Sequence, residues 1–325
     1  MAEAAVGDDV LDDDLTIKRL QEKSAALLGK EDALFMPSGT MSNAVAIKVH
    51  TTPGDEVLLD ADAHSMLYEA GNPATIANVL TRQFRSVRGV PCVDEIPDLI
   101  HTESLHSPRT SLLLLENSHN RAGGAVIPLT VLAAVRAETE TRGVAVHLDG
   151  ARLFNAASAL GVEAADIAYY ADTVTFCLSK GLGCPVGSVL CGPRDFILRA
   201  RRVRKMLGGG LRQAGILAAA GIFALYHNLQ RLSEDHDNAC RLARILEGSR
   251  GLAVQTAPPD TNMVYLRTEV VAAAVAEELK VRFGVLVSCM GTHIVRMVTH
   301  MDVSGSDVER AGSAVQSVCS ELSRT

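Results

Sequence analysis

The chain has no tryptophan, and aromatic residues make up only 4% of its 325 positions. So few rings cannot supply the stacking platforms on which single-stranded nucleic acids lie. Positive charge is also short: 31 Lys and Arg against 38 Asp and Glu leave a net charge of -7. The one basic run is RARRVRK (199–205), and the overall sign repels phosphate backbones, so nucleic acid is excluded as the main partner. The longest helical apolar run, GILAAAGIFALY (215–226), is too short to span a bilayer. The N-terminal MAEAAVGDDVLDDD lacks the basic flank and apolar centre of a secretory signal. Seven Cys, an odd number with no C-x-x-C pair, exclude a disulfide framework and a zinc site, and suit a reducing cytoplasm. No fixed-period repeat is present, which removes solenoids. These absences leave a cytoplasmic enzyme of small-molecule metabolism, with no membrane partner and no metal.

What is present is an alternation of short apolar runs and helical patterns. Residues 15–28 carry Leu20, Leu27 and Leu28 at helical spacing and stop at Gly29. ALFMP, EVLLD (56–60), SLLLLE (111–116), VAVHLD (144–149), TVTFCLS (173–179) and GSVLCG (187–192) read as strands, with helices over 41–50, 130–142 and 215–232. Fully apolar short strands alternating with helices predict an α/β fold with a mostly parallel sheet covered on both faces. After residue 232 the rhythm changes. Strands at 262–267, 285–289 and 294–299, with helices near 270–282 and from 306, predict a smaller α+β domain. The domains are therefore an arm (1–17), a large domain (18–232) and a small C-terminal domain (233–325).

In an open parallel sheet, ligands bind at the carboxyl ends of the strands. The polar residues that follow the strands are Ser38, Gly39 and Thr40, then His64, His119, Asp149 and Lys180. PSGTMSN (37–43) is a turn entering a helix, where glycine admits an anion to the free N–H groups of the first turn. It lacks the length and the lysine of a P-loop, so it predicts a seat for a monophosphate. Read alone, the same segment is an ordinary Ser/Thr helix cap. A lysine at a strand end can be desolvated and condense with an aldehyde, and an aspartate on the same rim can hold a protonated pyridine nitrogen. Phosphate seat, Asp149 and Lys180 together predict pyridoxal 5'-phosphate (PLP).

From about Val6 to Ser304 the segments PSGTMSN, HSMLYEAG, LLENSHN, HLDGARLFNA, LSKGLGCPVGSVL, RKMLGGGLRQAGILAAAG, EDHDNA, DTNMVY and IVRMVTHMDVS follow in order. In these the chain resembles the low-specificity L-threonine aldolases, PLP enzymes of fold type I within the β-eliminating lyases and the aspartate aminotransferase superfamily. The resemblance implies Lys180 as the lysine that carries the cofactor, Asp149 as partner of the ring nitrogen, and Gly39 with Thr40 on the phosphate. It implies His64 stacked on the ring and His119 near the substrate hydroxyl, with either histidine as the base. It implies Arg152 and Arg296 on the substrate carboxylate, and Lys205 and Arg212 near the phosphate, reaching a neighbouring subunit. The implied assembly is a homotetramer, a dimer of dimers with active sites at the dimer interface. The implied reaction is cleavage of L-threonine or L-allo-threonine to glycine and acetaldehyde.

The pattern departs from the family at the N-terminus. Relatives begin with a segment containing an RSDTVT-type motif, and this chain starts downstream of it. The next motif, VGDDVYGDDPT in its usual form, reads VGDDVLDDDLT here, with Leu11, Asp12 and Leu15 replacing Tyr, Gly and Pro. Loss of a turn-forming Gly and Pro and of an aromatic ring leads us to expect weaker cofactor or substrate binding.

Overall fold

The computed structural model describes residues 1–324, so Thr325, the last residue of the expected small domain, lies outside the described residues. The strands in chain order are β1 (Asp32–Met36), β2 (Glu56–Asp60), β3 (Leu80–Phe84), β4 (Ser86–Val87), β5 (Val90–Pro91), β6 (Thr110–Glu116), β7 (Ala145–Asp149), β8 (Thr173–Cys177), β9 (Ser188–Gly192), β10 (Leu252–Val254), β11 (Met263–Thr268), β12 (Ser288–Gly291) and β13 (Ile294–Val298). The chain forms two compact units: residues 1–122 with 126–230, and residues 123–125 with those from 231 on.

The first unit is built on a seven-stranded sheet in the order β1-β9-β8-β7-β6-β2-β3. Strands β8, β7, β6, β2 and β3 pair in parallel, and β9 pairs antiparallel with both β1 and β8. Only β9 therefore runs against the rest, and the mostly parallel sheet expected from the apolar runs is present. Every residue of β2, β6, β8 and β9 is buried, as strands covered on both faces must be. Leu34 and Met36 of β1 pack with Val45 and Ala46 of the helix Gly39–His50 and with Phe196, Ile197 and Ala200 of the helix Arg194–Met206. The alternate residues Ala33 and Phe35 are buried as well, and the helix Leu15–Leu28 packs on this strand.

Caps set the ends of these helices. Asp14 accepts the backbone N–H groups of Thr16 and Ile17, and Gly29 closes the helix in the left-handed region at φ 61°. The other Asp14 oxygen accepts Gly215 N–H at 2.8 Å, so one carboxylate starts two helices, Leu15–Leu28 and Gly215–His227. The second of these ends at His227, earlier than its apolar pattern predicts. Asn228 follows it and donates through its side chain to Leu182 O at 2.7 Å. Among the described residues no helix is long and apolar enough to cross a membrane, and the seven cysteines are free.

The hairpin β4–β5 turns at Arg88 and Gly89, both with positive φ. A Cβ on Gly89 would stand 2.5 Å from His119 Cγ. Gly89→Ala therefore strains the backbone and strikes a buried ring, and we expect it to cost about 1–3 kcal/mol, read as a fall in the denaturant midpoint.

The second unit has a four-stranded antiparallel sheet, β10-β11-β13-β12. Val264, Leu266 and Val295 of this sheet share a core with Leu242 and Leu246 of the helix Leu232–Leu246 and with Val315 and Val318 of the helix Gly305–Leu322. The strand expected at 285–289 begins only at Ser288, because Gly284 closes the preceding helix in the left-handed region.

Candidate active site

Because β1, β2, β6, β7 and β8 run the same way, their carboxyl ends open at one edge of the sheet. A cavity of about 350 Å³ lies there, lined by Ser38, Gly39, Thr40, His64, Asp149 and Lys180. Ser38 caps the helix Gly39–His50 by accepting Met41 N–H at 3.1 Å, so the cap reading of this segment holds. The cap does not close the seat, since the first N–H groups of a helix have no intrahelical acceptors. A Cβ on Gly39 would stand 2.8 Å from Cys177 Sγ. The position therefore has no room for a side chain, and the first turn presents bare backbone to an anion.

Asp149 ends β7 and is 3% exposed. Its Oδ1 accepts Ala151 N–H at 3.0 Å and its Oδ2 accepts the side-chain amide of Asn43 at 2.7 Å. The same Asn43 nitrogen donates to Glu69 Oε1 at 2.7 Å. Glu69 Oε1 also meets His64 Nδ1 at 2.8 Å, and Glu69 Oε2 accepts from Asn72 at 2.7 Å. Atoms of His64, Glu69 and Asp149 lie within 4.8 Å of one another, a spacing that could also suit a cation. Asn43 bridges the two carboxylates, however, so hydrogen bonds already close the cluster.

His64 opens the short helix His64–Leu67, and its backbone N–H donates to Glu116 Oε2 at 2.7 Å. Glu116, the last residue of β6, accepts Asn120 N–H on its other oxygen at 2.8 Å. Burial pushes the Glu116 carboxyl above the usual range, and nearby Asp149 adds to the push. The hydrogen bond to Glu69 holds the His64 imidazole above its ordinary pKa, against burial, with Asp149 assisting. Glu69→Gln should therefore lower the His64 titration midpoint, as followed by NMR of its ring protons. The folded-state value lies above the unfolded one, so the pair's contribution to stability is complete below about pH 6.5. It is lost as pH rises through the raised value, and the stability gap between wild type and Glu69→Gln should narrow accordingly.

The beta-eliminating lyase family matches residues 1–269 of the chain. The low-specificity L-threonine aldolase of Escherichia coli K12 is 46% identical over 306 residues, spanning 94% of this chain and 89% of that one. The chain belongs to the low-specificity L-threonine aldolases of the beta-eliminating lyase family. Among solved structures, a threonine aldolase of Leishmania major superposes with a TM-score of 0.80 at 22% identity, over 97% of this chain and 98% of that one. An SPT solved with PLP superposes at 0.76 with 19% identity, over 99% and 81%. At these identities the two structures attest the fold, which is the PLP fold type I expected from the sequence.

Of the residues implied by the threonine aldolase resemblance, Gly39, Thr40, His64, Asp149 and Lys180 meet around one cavity. His119 does not line it. His119 lies 1% exposed near the hairpin turn at Gly89, with Nδ1 accepting Ala122 N–H at 3.2 Å and Nε2 3.7 Å from Asp60 Oδ1. Burial pulls its pKa down, but Asp60 and then Glu116 outweigh this and raise it. Arg152 is half-buried at the start of the helix Leu153–Leu160, three residues after Asp149. Lys205 borders a different cavity of about 770 Å³ beside Arg201 and Arg202, and exposed Arg212 donates to Asp8 at 2.6 Å. Arg296 lies on β13 of the second unit and donates to Ser288 at 3.4 Å. Asn43, Glu69, Glu116 and His147 were not singled out by the sequence reading. All four fall inside the family segments PSGTMSN, HSMLYEAG, LLENSHN and HLDGARLFNA, which was the available signal.

Proposed function

We propose that this chain is a PLP-dependent lyase that cleaves L-threonine and L-allo-threonine to glycine and acetaldehyde. The observation that carries the proposal is the meeting, in one cavity, of a lysine, a buried carboxylate and an open helix N-terminus. These residues fit the cofactor chemically: backbone N–H donors for its phosphate, an acceptor for its ring nitrogen and an amine for its aldehyde. In this assignment the Gly39 and Thr40 N–H groups take the phosphate. Asp149 would accept the ring N–H, and the His64 imidazole would lie against the ring. When bound, PLP supplies the sink that takes the electron pair left on Cα as the Cα–Cβ bond breaks.

The chain's own groups do the rest. Lys180 Nζ would hold the cofactor through its aldehyde and would serve as a proton carrier at Cα. Arg152 and Arg296 bind the substrate carboxylate, a bidentate task suited to a planar guanidinium. The β-hydroxyl proton passes to His64, directly or through a water, or through a water to His119, and the aldehyde leaves. A proton returned to Cα completes glycine. Lys205 and Arg212 serve the phosphate of a neighbouring subunit in a homotetramer of cytoplasmic chains.

Product analysis tests the proposal. Incubation with L-threonine and PLP should yield glycine and acetaldehyde in equal amounts. An oxo acid with ammonia would instead make the chain an eliminase on the same cofactor.

A further inference from the structure

We infer that Asn43 is a positioning residue that orients the two groups meeting the cofactor ring, Asp149 at its nitrogen and His64 at its face, at the end of a buried hydrogen-bond chain that starts at His50. The inference rests on the PLP reading above and deepens it. Asn43 is 1% exposed, on the helix Gly39–His50 one turn beyond the phosphate seat. Its two amide hydrogens are committed to carboxylate oxygens, Glu69 Oε1 and Asp149 Oδ2, each at 2.7 Å. Carboxylate oxygens accept, so this assignment of nitrogen and oxygen in the Asn43 amide is the one that satisfies both contacts.

The directions of the remaining bonds then follow. Asn43 Oδ1 can only accept, so His147 Nε2, at 3.2 Å, carries a proton and donates to it. His147 is fully buried, and burial pulls its pKa down to about 4, so the ring is neutral and its Nδ1 is bare. That Nδ1 accepts from Thr173 Oγ at 2.9 Å. Thr173 Oγ has thereby given its hydrogen, and it accepts from His50 Nε2 at 2.8 Å. Donors thus point one way, from His50 through Thr173, His147 and Asn43 to Asp149 and Glu69. Each link polarises the next, which strengthens the last bonds on the carboxylates. Ala151 N–H and Asn43 hold the two oxygens of Asp149 in fixed directions, and Glu69 ties the Nδ1 side of the His64 ring.

The decisive measurement compares the binding of PLP and of its 1-deaza analogue, in which carbon replaces the ring nitrogen, to this chain by equilibrium dialysis. The analogue has no N–H for Asp149 to accept. If Asn43 acts through Asp149, Asn43→Ala weakens PLP by about 10- to 100-fold, the loss of one or two hydrogen bonds to a carboxylate. It should weaken the analogue by no more than about threefold, the remainder that passes through His64. Thr173→Val cuts the chain two links further back and should show the same selectivity at smaller size, which keeps the test decisive if Asn43→Ala does not fold. Equal weakening of both ligands, or none of either, overturns the inference while leaving the cofactor reading intact. A wild-type chain that binds neither ligand overturns both.

Discussion

Replacing Lys180 by Ala lowers threonine cleavage by about a thousand-fold or more and leaves the fold in place. Lys180 alone among the residues lining the cavity carries an amine, so on the proposed reading no neighbour replaces it in holding the cofactor. Its side chain is half-buried just beyond β8, whereas the turn it starts is held by its backbone carbonyl, which accepts Gly183 N–H at 2.9 Å. The variant keeps that bond. Thermal denaturation should therefore move by no more than about 0.5 kcal/mol, as for a surface substitution, while acetaldehyde release disappears. A parallel loss of both would mean that Lys180 is a structural residue.

Asp149→Ala is the second large effect and differs in kind. On the proposed reading we expect the rate to fall by about a hundred- to a thousand-fold, since the fixed charge assigned to the cofactor ring nitrogen is gone. Here stability falls too, by about 1–3 kcal/mol, because the Asn43 amide and the Ala151 N–H lose their acceptor in a buried place. Asp149→Asn keeps the volume and one oxygen while removing the charge. It should recover part of the stability and little of the rate, and steady-state kinetics beside denaturant titration of both variants separates the two roles.

Much of the fold can be read along the chain, for local reasons. The first helix runs over Leu15–Leu28, between the bounds that its apolar spacing and Gly29 predict. The central strands are visible as unbroken apolar runs because both of their faces are covered. β3 is not visible in this way: LTRQF is an edge strand, exposed or half-exposed along most of its length, and its polar residues resemble a loop. Asp149 and Lys180 stand out for the same local reason, as polar residues at the ends of apolar strands.

The partners of these residues are another matter. Asn43 meets Glu69 from 26 residues away and Asp149 from 106. Nothing in the neighbouring residues marks Asn43 as a junction or Glu69 as its acceptor. His147 is one of several apolar-run residues on β7, and only the pairing of β7 with β8 brings it to Thr173. His119 illustrates the converse. It follows a strand as His64 does, yet it is buried near the β4–β5 hairpin and does not line the cavity. Position after a strand names the candidates for a rim, and long-range packing decides which of them face the ligand.

The central claim is that the cavity at the strand ends holds PLP through Lys180. Reducing the PLP-loaded chain with borohydride fixes any cofactor bound to a lysine, and peptide mass mapping then finds where it sits. The account predicts one phosphopyridoxyl group per chain, on Lys180, absent from Lys180→Ala. Labelling of another lysine, or no labelling at all, would contradict it.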